Sequence, residues 1–124
     1  MTGKNNNYGF KFQDWDIYND ALNLRSKINE LAKSFPSDEK FALVDQIRRA
    51  VNSIILNIAE GSNKTTDKDR RLYINRAHGS LDEVVACLDC ALSDRYITKN
   101  NYDPILLEAS SLAKRLRGFF KYLS

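Results

Sequence analysis

The stretch Val44-Asp45-Gln46-Ile47-Arg48-Arg49-Ala50-Val51-Asn52-Ser53-Ile54-Ile55-Leu56-Asn57-Ile58-Ala59-Glu60-Gly61 decides the fold class. Val44, Ile47, Val51, Ile54, Ile55 and Ile58 recur mostly at intervals of three and four. That spacing gathers side chains on one stripe of a 3.6-residue helix. The stretch is rich in β-branched residues, which on composition alone favours a strand. It is too long for a strand and does not alternate with period two, so the spacing predicts a helix. Gly61 after the last periodic residues reads as its stop, because glycine readily takes the left-handed conformation found just past a helix.

The same period returns on both sides. Ile17, Ala21, Leu24, Ile28, Leu31 and Phe35 form one stripe before it. Ile74, Ala77, Leu81, Val84, Val85, Leu88 and Leu92 form another after it, and Ile105, Ala109, Leu112, Leu116, Phe119 and Leu123 a last one. Punctuation divides the stripes. Pro36 follows Ser34-Phe35, Thr66 with Asp69 resembles a capping box, and Asp103-Pro104 reads as an N-cap followed by the first helical residue. The predicted helices are about Asp14–Ser34, Asp38–Glu60, Asp67–Arg95 and Pro104–Leu123. Short loops force antiparallel neighbours, so the expected fold is all-α, an antiparallel up-down-up-down four-helix bundle. It should occupy residues 13–124 after a flexible segment 1–12 that lacks the apolar run of a signal peptide.

Composition bounds the rest. The chain has 124 residues, 43% hydrophobic and 28% charged, in keeping with one soluble domain. Two cysteines cannot build a disulfide framework, so a cytoplasmic location is expected. No apolar run approaches the roughly 20 residues that cross a bilayer. The net charge of +3 is only mildly basic and does not by itself mark a nucleic-acid binder.

Helical phase exposes a second seam. Leu72, Gly79, Ala86 and Cys90 fall opposite the core stripe of the third helix. Trp15 and Leu22 sit away from the stripe of the first, and Leu56, with the small Ala42 and Ser53, away from that of the second. Small residues admit a close helix, and a tryptophan offers large contact area. Scattered exposed apolar residues are normal, but three helices carrying them favour a homo-oligomer.

Charge is distributed unevenly. Residues 62–78 hold Lys64, Lys68, Arg70, Arg71 and Arg76 against Asp67 and Asp69, and residues 104–124 hold Lys114, Arg115, Arg117 and Lys121 against Glu108. Residues 79–103 are acidic. Lys114, Arg117 and Lys121 share one face of the last helix, about 140° from its apolar stripe. Such a stripe is either a solvated helix face or, multiplied in an oligomer, a field that attracts phosphate.

Catalytic patterns are lacking. The single histidine, His78, falls at the border of a core stripe, where a structural role is the common one. Cys87-Leu88-Asp89-Cys90 has neither a second ligand pair for zinc nor a βαβ setting for redox chemistry, so no metal and no cofactor are expected. No Glu-x-x-His pair and no glycine-rich phosphate loop occur. The expectation is a protein that is not an enzyme.

Residues 46–61, with Phe12-Gln13-Asp14-Trp15, Lys33-Ser34-Phe35-Pro36 and Gly79-Ser80-Leu81-Asp82-Glu83, carry a resemblance. From about Phe10 to Leu123 the chain resembles the four-helix-bundle family named for the 23S ribosomal RNA intervening-sequence proteins. That family includes the accessory variability proteins of diversity-generating retroelements. Ile55 departs from the pattern, standing where relatives commonly carry proline, so a straighter second helix is expected. The resemblance implies a ring-like homopentamer. Through its retroelement branch it also implies a basic accessory protein that binds a reverse transcriptase and its template RNA. By position, Arg48 and Arg49 match the family's Arg-Arg pair, and Glu60 its Ala-Glu-Gly end. For Glu60 the implied role is either a structural pairing with an arginine or partner binding.

The functional expectation is therefore a non-catalytic oligomer that binds structured RNA, with Lys64, Lys68, Arg70, Arg71, Lys114, Arg117 and Lys121 as phosphate contacts. Trp15, Leu22, Leu56, Leu72, Gly79 and Ala86 are the expected subunit interface. The alternative is an intervening-sequence protein that serves as a protein–protein assembly module with no direct RNA contact.

Overall fold

The helix that the Val44–Gly61 pattern predicts runs Leu43–Ser62 and buries Val44, Ile47, Val51, Ile54, Ile55 and Ile58. It is α2 of a computed structural model that describes residues 8–39 and 42–123. The other long helices are α1 (Asp16–Ala32), α3 (Asp67–Ser93) and α4 (Lys99–Tyr122). Short 3₁₀ turns at Lys11–Asp14 and Ser37–Glu39 precede α1 and α2, and no strand occurs among the described residues. Residues 1–7 of the expected flexible segment lie outside the described residues.

Each helix packs on its neighbours in sequence, and α4 closes the ring against α1. Side-chain pairs give the direction. Asp20 meets Arg115 and Lys27 meets Glu108, while Arg71 reaches Leu123 and His78 reaches Arg117. Numbers rise on one helix as they fall on the next, so the bundle is antiparallel, up-down-up-down, as the short loops require. The core is apolar throughout: Leu24, Ile28, Ile47, Ile54, Ile58, Ile74, Leu81, Leu88, Leu112 and Leu116 are all but fully buried. Each such side chain contributes roughly 1.5–3 kcal/mol by leaving water.

Helix ends differ from the sequence expectation in three places. α4 begins at Lys99, five residues before Pro104. Thr98 starts it: its Oγ1 accepts from the Asn101 amide at 3.3 Å and the Asn101 side-chain oxygen accepts from the Thr98 amide at 3.5 Å. Pro104 therefore sits inside the helix, where it cannot donate to the Asn100 carbonyl. The added turn carries Tyr102, buried, whose hydroxyl donates to Asp89 Oδ1 at 2.6 Å. That bond raises the phenol's pKa above its ordinary value.

α2 starts at Leu43 rather than Asp38, and Gly61 lies within it rather than past it. Gly61 is needed for another reason. A Cβ there would stand 2.8 Å from Tyr73 Cβ, so the end of α2 approaches α3 more closely than an alanine permits. At the other end of α3, Arg95 adopts a left-handed φ of 64°. The Tyr96 amide donates to Ala91 O at 2.9 Å and the Arg95 amide to Leu92 O at 3.1 Å, the two bonds of a Schellman closure.

A candidate nucleic-acid interface on α3 and α4

The two basic stretches, far apart in sequence, meet at one end of the bundle. The Arg71 guanidinium, half-buried near the start of α3, donates to the Leu123 carbonyl at 2.6 Å. This bond ties the last turn of α4 beside Lys68 and Arg70. By helical phase, Lys114, Arg117 and Lys121 run from there along the outer side of α4 that borders α3. Lys68, Lys114, Arg117 and Lys121 are all exposed. The free amides opening α3 point to the same end and favour an anion there. Thr66 satisfies one of them, its Oγ1 accepting from the Asp69 amide at 3.1 Å.

The expected phosphate contacts are not equivalent. Arg70 is engaged with Asp67 at 2.7 Å, one turn along its own helix. Arg71 holds the chain end, a task no helical pattern announces. Lys64 lies over the Tyr73 ring at 4.7 Å, and Arg76 over the same ring at 4.8 Å. Desolvated faces strengthen such cation–π pairs, and here they hold both cations against α3.

Between α3 and α4 lies a pocket of about 230 Å³, lined by Ile74, Asn75, His78, Leu116, Arg117 and Phe120. Arg117 Nη2 is 3.3 Å from His78 Nε2. A guanidinium has donors only, so Nε2 is the accepting atom of this contact, and Nδ1 lies 3.7 Å from Asp82 Oδ2. His78 is half-buried. Asn75, His78 and Phe120 were not singled out as ligand-binding residues by sequence. Asn75 and His78 are three apart on the flank of α3, and that spacing was the signal available.

The remaining motif residues spread around the bundle. Arg49 donates to Asp45 at 2.6 Å and 3.1 Å, a pairing along α2 itself, and Arg48 is exposed. Glu60 is exposed, and no ion pair joins it to an arginine among the described residues. Leu22, Leu56, Leu72, Gly79, Ala86 and Cys90 all face outward; Leu56 is 58% and Leu72 46% exposed. α2 and α3 approach closely beneath them, Ser53 Oγ lying 2.8 Å from Ser80 Oγ.

Trp15 differs from the expected setting. It is the residue before α1, half-buried, packed on the core and edge-on to Phe119 with ring centroids 5.1 Å apart. Its large ring is thus largely packed within the chain's own bundle. Cys87 is buried and Cys90 exposed, both free thiols, and burial pushes the Cys87 thiol up to about 11. Among the described residues no three His, Cys, Asp or Glu side chains group closely enough to hold a metal. No helix is long and apolar enough to cross a membrane.

Residues 13–118 match the family model for 23S rRNA-intervening sequence proteins. Among solved structures the chain is similar to a protein of unknown function from the S23 ribosomal protein family of Bacteroides thetaiotaomicron. The two are 25% identical with a TM-score of 0.78, over 85% of this chain and 98% of that one. The curated proteins provide no match to this chain.

Proposed function

The chain belongs to the 23S rRNA-intervening sequence protein family, and on that footing we propose that it is a non-catalytic protein that binds structured RNA through the basic face of α3 and α4. The observation that carries this reading is the convergence of two basic stretches on one end of the bundle, with Arg71 bonded to Leu123 between them. Lys64, Lys68, Arg70, Arg71, Lys114, Arg117 and Lys121 supply the phosphate contacts, with Lys68, Lys114, Arg117 and Lys121 the more exposed of them. A reverse transcriptase that uses the bound RNA as template is the protein partner of this reading, and the chain is its cytoplasmic accessory subunit. Copies of the chain associate through the outward faces of α2 and α3, in a ring of five, which multiplies the basic face around an axis.

The experiment is an RNA titration of the triple variant Lys114→Ala, Arg117→Ala, Lys121→Ala. Each lost phosphate contact flattens log K against log salt by about 0.7–0.9, so three lower the slope by roughly 2–3. Unchanged thermal unfolding separates this from loss of fold. A slope equal to the wild type's removes these residues from the interface.

A second reading rests on Leu56 and Leu72, each exposed close to half or more on adjoining helices. It makes the chain a protein–protein assembly module whose cations only solubilise it. That reading requires Leu56→Glu with Leu72→Glu to dissolve the assembly in sedimentation analysis while RNA never binds.

A further inference from the structure

The pocket between α3 and α4 has a shape and chemistry that a phosphate-binding face does not need. Its floor is apolar: Ile74 is 2% exposed and Leu116 fully buried. Phe120, 36% exposed, forms a wall, and Asn75, His78 and Arg117 stand at the rim. At about 230 Å³ it is smaller than the roughly 300–1,000 Å³ of sites for drug-sized ligands, which leaves room for a fragment the size of one planar ring system.

We propose that this pocket takes a single unpaired nucleobase of the RNA bound on the basic face. The inference rests on the RNA-binding reading and adds to it the class of RNA: one with a bulged or single-stranded nucleotide. Phe120 offers a ring for stacking, a contact open to every base. The Asn75 side chain both donates and accepts, and the Arg117 guanidinium keeps further N–H groups beyond the one that faces His78. These match the mixed donors and acceptors on a base edge. His78 Nε2, 3.3 Å from Arg117 Nη2, sets the direction of Arg117. Lys114 and Lys121 lie three residues before and four after Arg117 on α4, one turn to either side of it, suited to the phosphates that flank the base. Charge complementarity selects this occupant, because an apolar pocket among cations suits an aromatic group carried on an anionic chain. A regular A-form duplex keeps its bases stacked and cannot enter; extruded bases in loops and bulges can.

The test compares two RNA hairpins, identical except that one carries a single bulged 2-aminopurine, each titrated with the wild type, Asn75→Ala and Phe120→Leu. The expected result is tighter binding of the bulged hairpin by the wild type, with a change in 2-aminopurine fluorescence. For the bulged hairpin, Phe120→Leu should lose about tenfold affinity, within the range of stacking losses, and Asn75→Ala about fivefold, as for one lost hydrogen bond. Affinity for the paired hairpin and the salt slope should not move, since neither residue carries charge. Asn75 is exposed, so its variant folds independently of any packing role for Phe120. Equal binding of both hairpins, with salt dependence intact and both variants like the wild type, overturns the pocket and leaves the phosphate face standing. Failure of the wild type to bind either hairpin at low salt overturns the RNA-binding reading itself.

Discussion

Replacing Gly61 by alanine should destabilise the protein, although the same change in most helices does the opposite. The new Cβ would lie 2.8 Å from Tyr73 Cβ and 3.7 Å from Tyr73 Cγ. Carbon atoms rest about 3.5–4.0 Å apart, so the gap is short by roughly an ångström. Both clashing atoms are Cβ atoms, and no rotamer change moves either of them. The end of α2 and the start of α3 must part, at the roughly 1–3 kcal/mol that an inserted methyl costs in a packed contact. Helix propensity returns at most about 1 kcal/mol. The net loss is then about 1 kcal/mol, a fall in melting temperature of roughly 3–5 °C for a chain of this size. Gly118 is the control, for it is also helical and nothing lies within 4 Å of its added Cβ. Gly118→Ala should raise the melting temperature by a few degrees, at about 1 kcal/mol of propensity. Thermal unfolding followed by circular dichroism reads both. Gly61→Ala melting at or above the wild type would refute the close approach of α2 to α3.

Other consequences follow from single contacts. Arg95→Gly should stabilise by about 0.5–1 kcal/mol, because glycine avoids the left-handed penalty at φ 64° while giving back some entropy to the unfolded chain; urea unfolding measures it. Arg71→Ala should cost about 1 kcal/mol, the low side for a bond to a charged donor because the site is only half-buried. Hydrogen exchange should then show faster opening confined to the last turn of α4. Cys90 should react with iodoacetamide in the native protein while Cys87 waits for denaturant, since Cys87 is buried and its thiol is pushed up to about 11. A pKa raised above the ordinary 9.0 means that Cys87 favours the fold fully below pH 9.0 and loses that contribution as pH rises toward about 11; the Cys87→Ala variant should lack this alkaline step.

The four stripes made the fold legible, because a repeat of three and four on each segment leaves one burial solution and short loops leave one ring order. Helix ends were harder to read. Asp103-Pro104 reads as a helix start because proline is a loud signal, whereas the cap that forms is Thr98 with Asn101, and asparagine is not the usual partner in a capping box. Gly61 reads as a stop in the sequence, because only the folded chain reveals Tyr73 against it. The basic residues were legible as a class, but their division was not. Arg70 pairs with Asp67 at a helical spacing of three, which the sequence does show, but Arg71 is committed to the Leu123 carbonyl on another helix, a partner its own stripe does not reveal. The pocket was out of reach for a similar reason: its rim is shared between α3 and α4, so the periodicity of either helix shows only half of it. Helical phase puts Trp15 away from the core stripe, yet Trp15 precedes α1 and turns onto Phe119, a position that helical phase does not govern.

The most direct test of the central claim is the affinity of the intact wild-type protein for a structured RNA hairpin at about 50 and about 200 mM salt. The account predicts clear binding at the lower salt and a steep loss at the higher, by roughly a hundredfold or more for four or five phosphate contacts. Binding that ignores salt, or no binding at the lower salt, would contradict it.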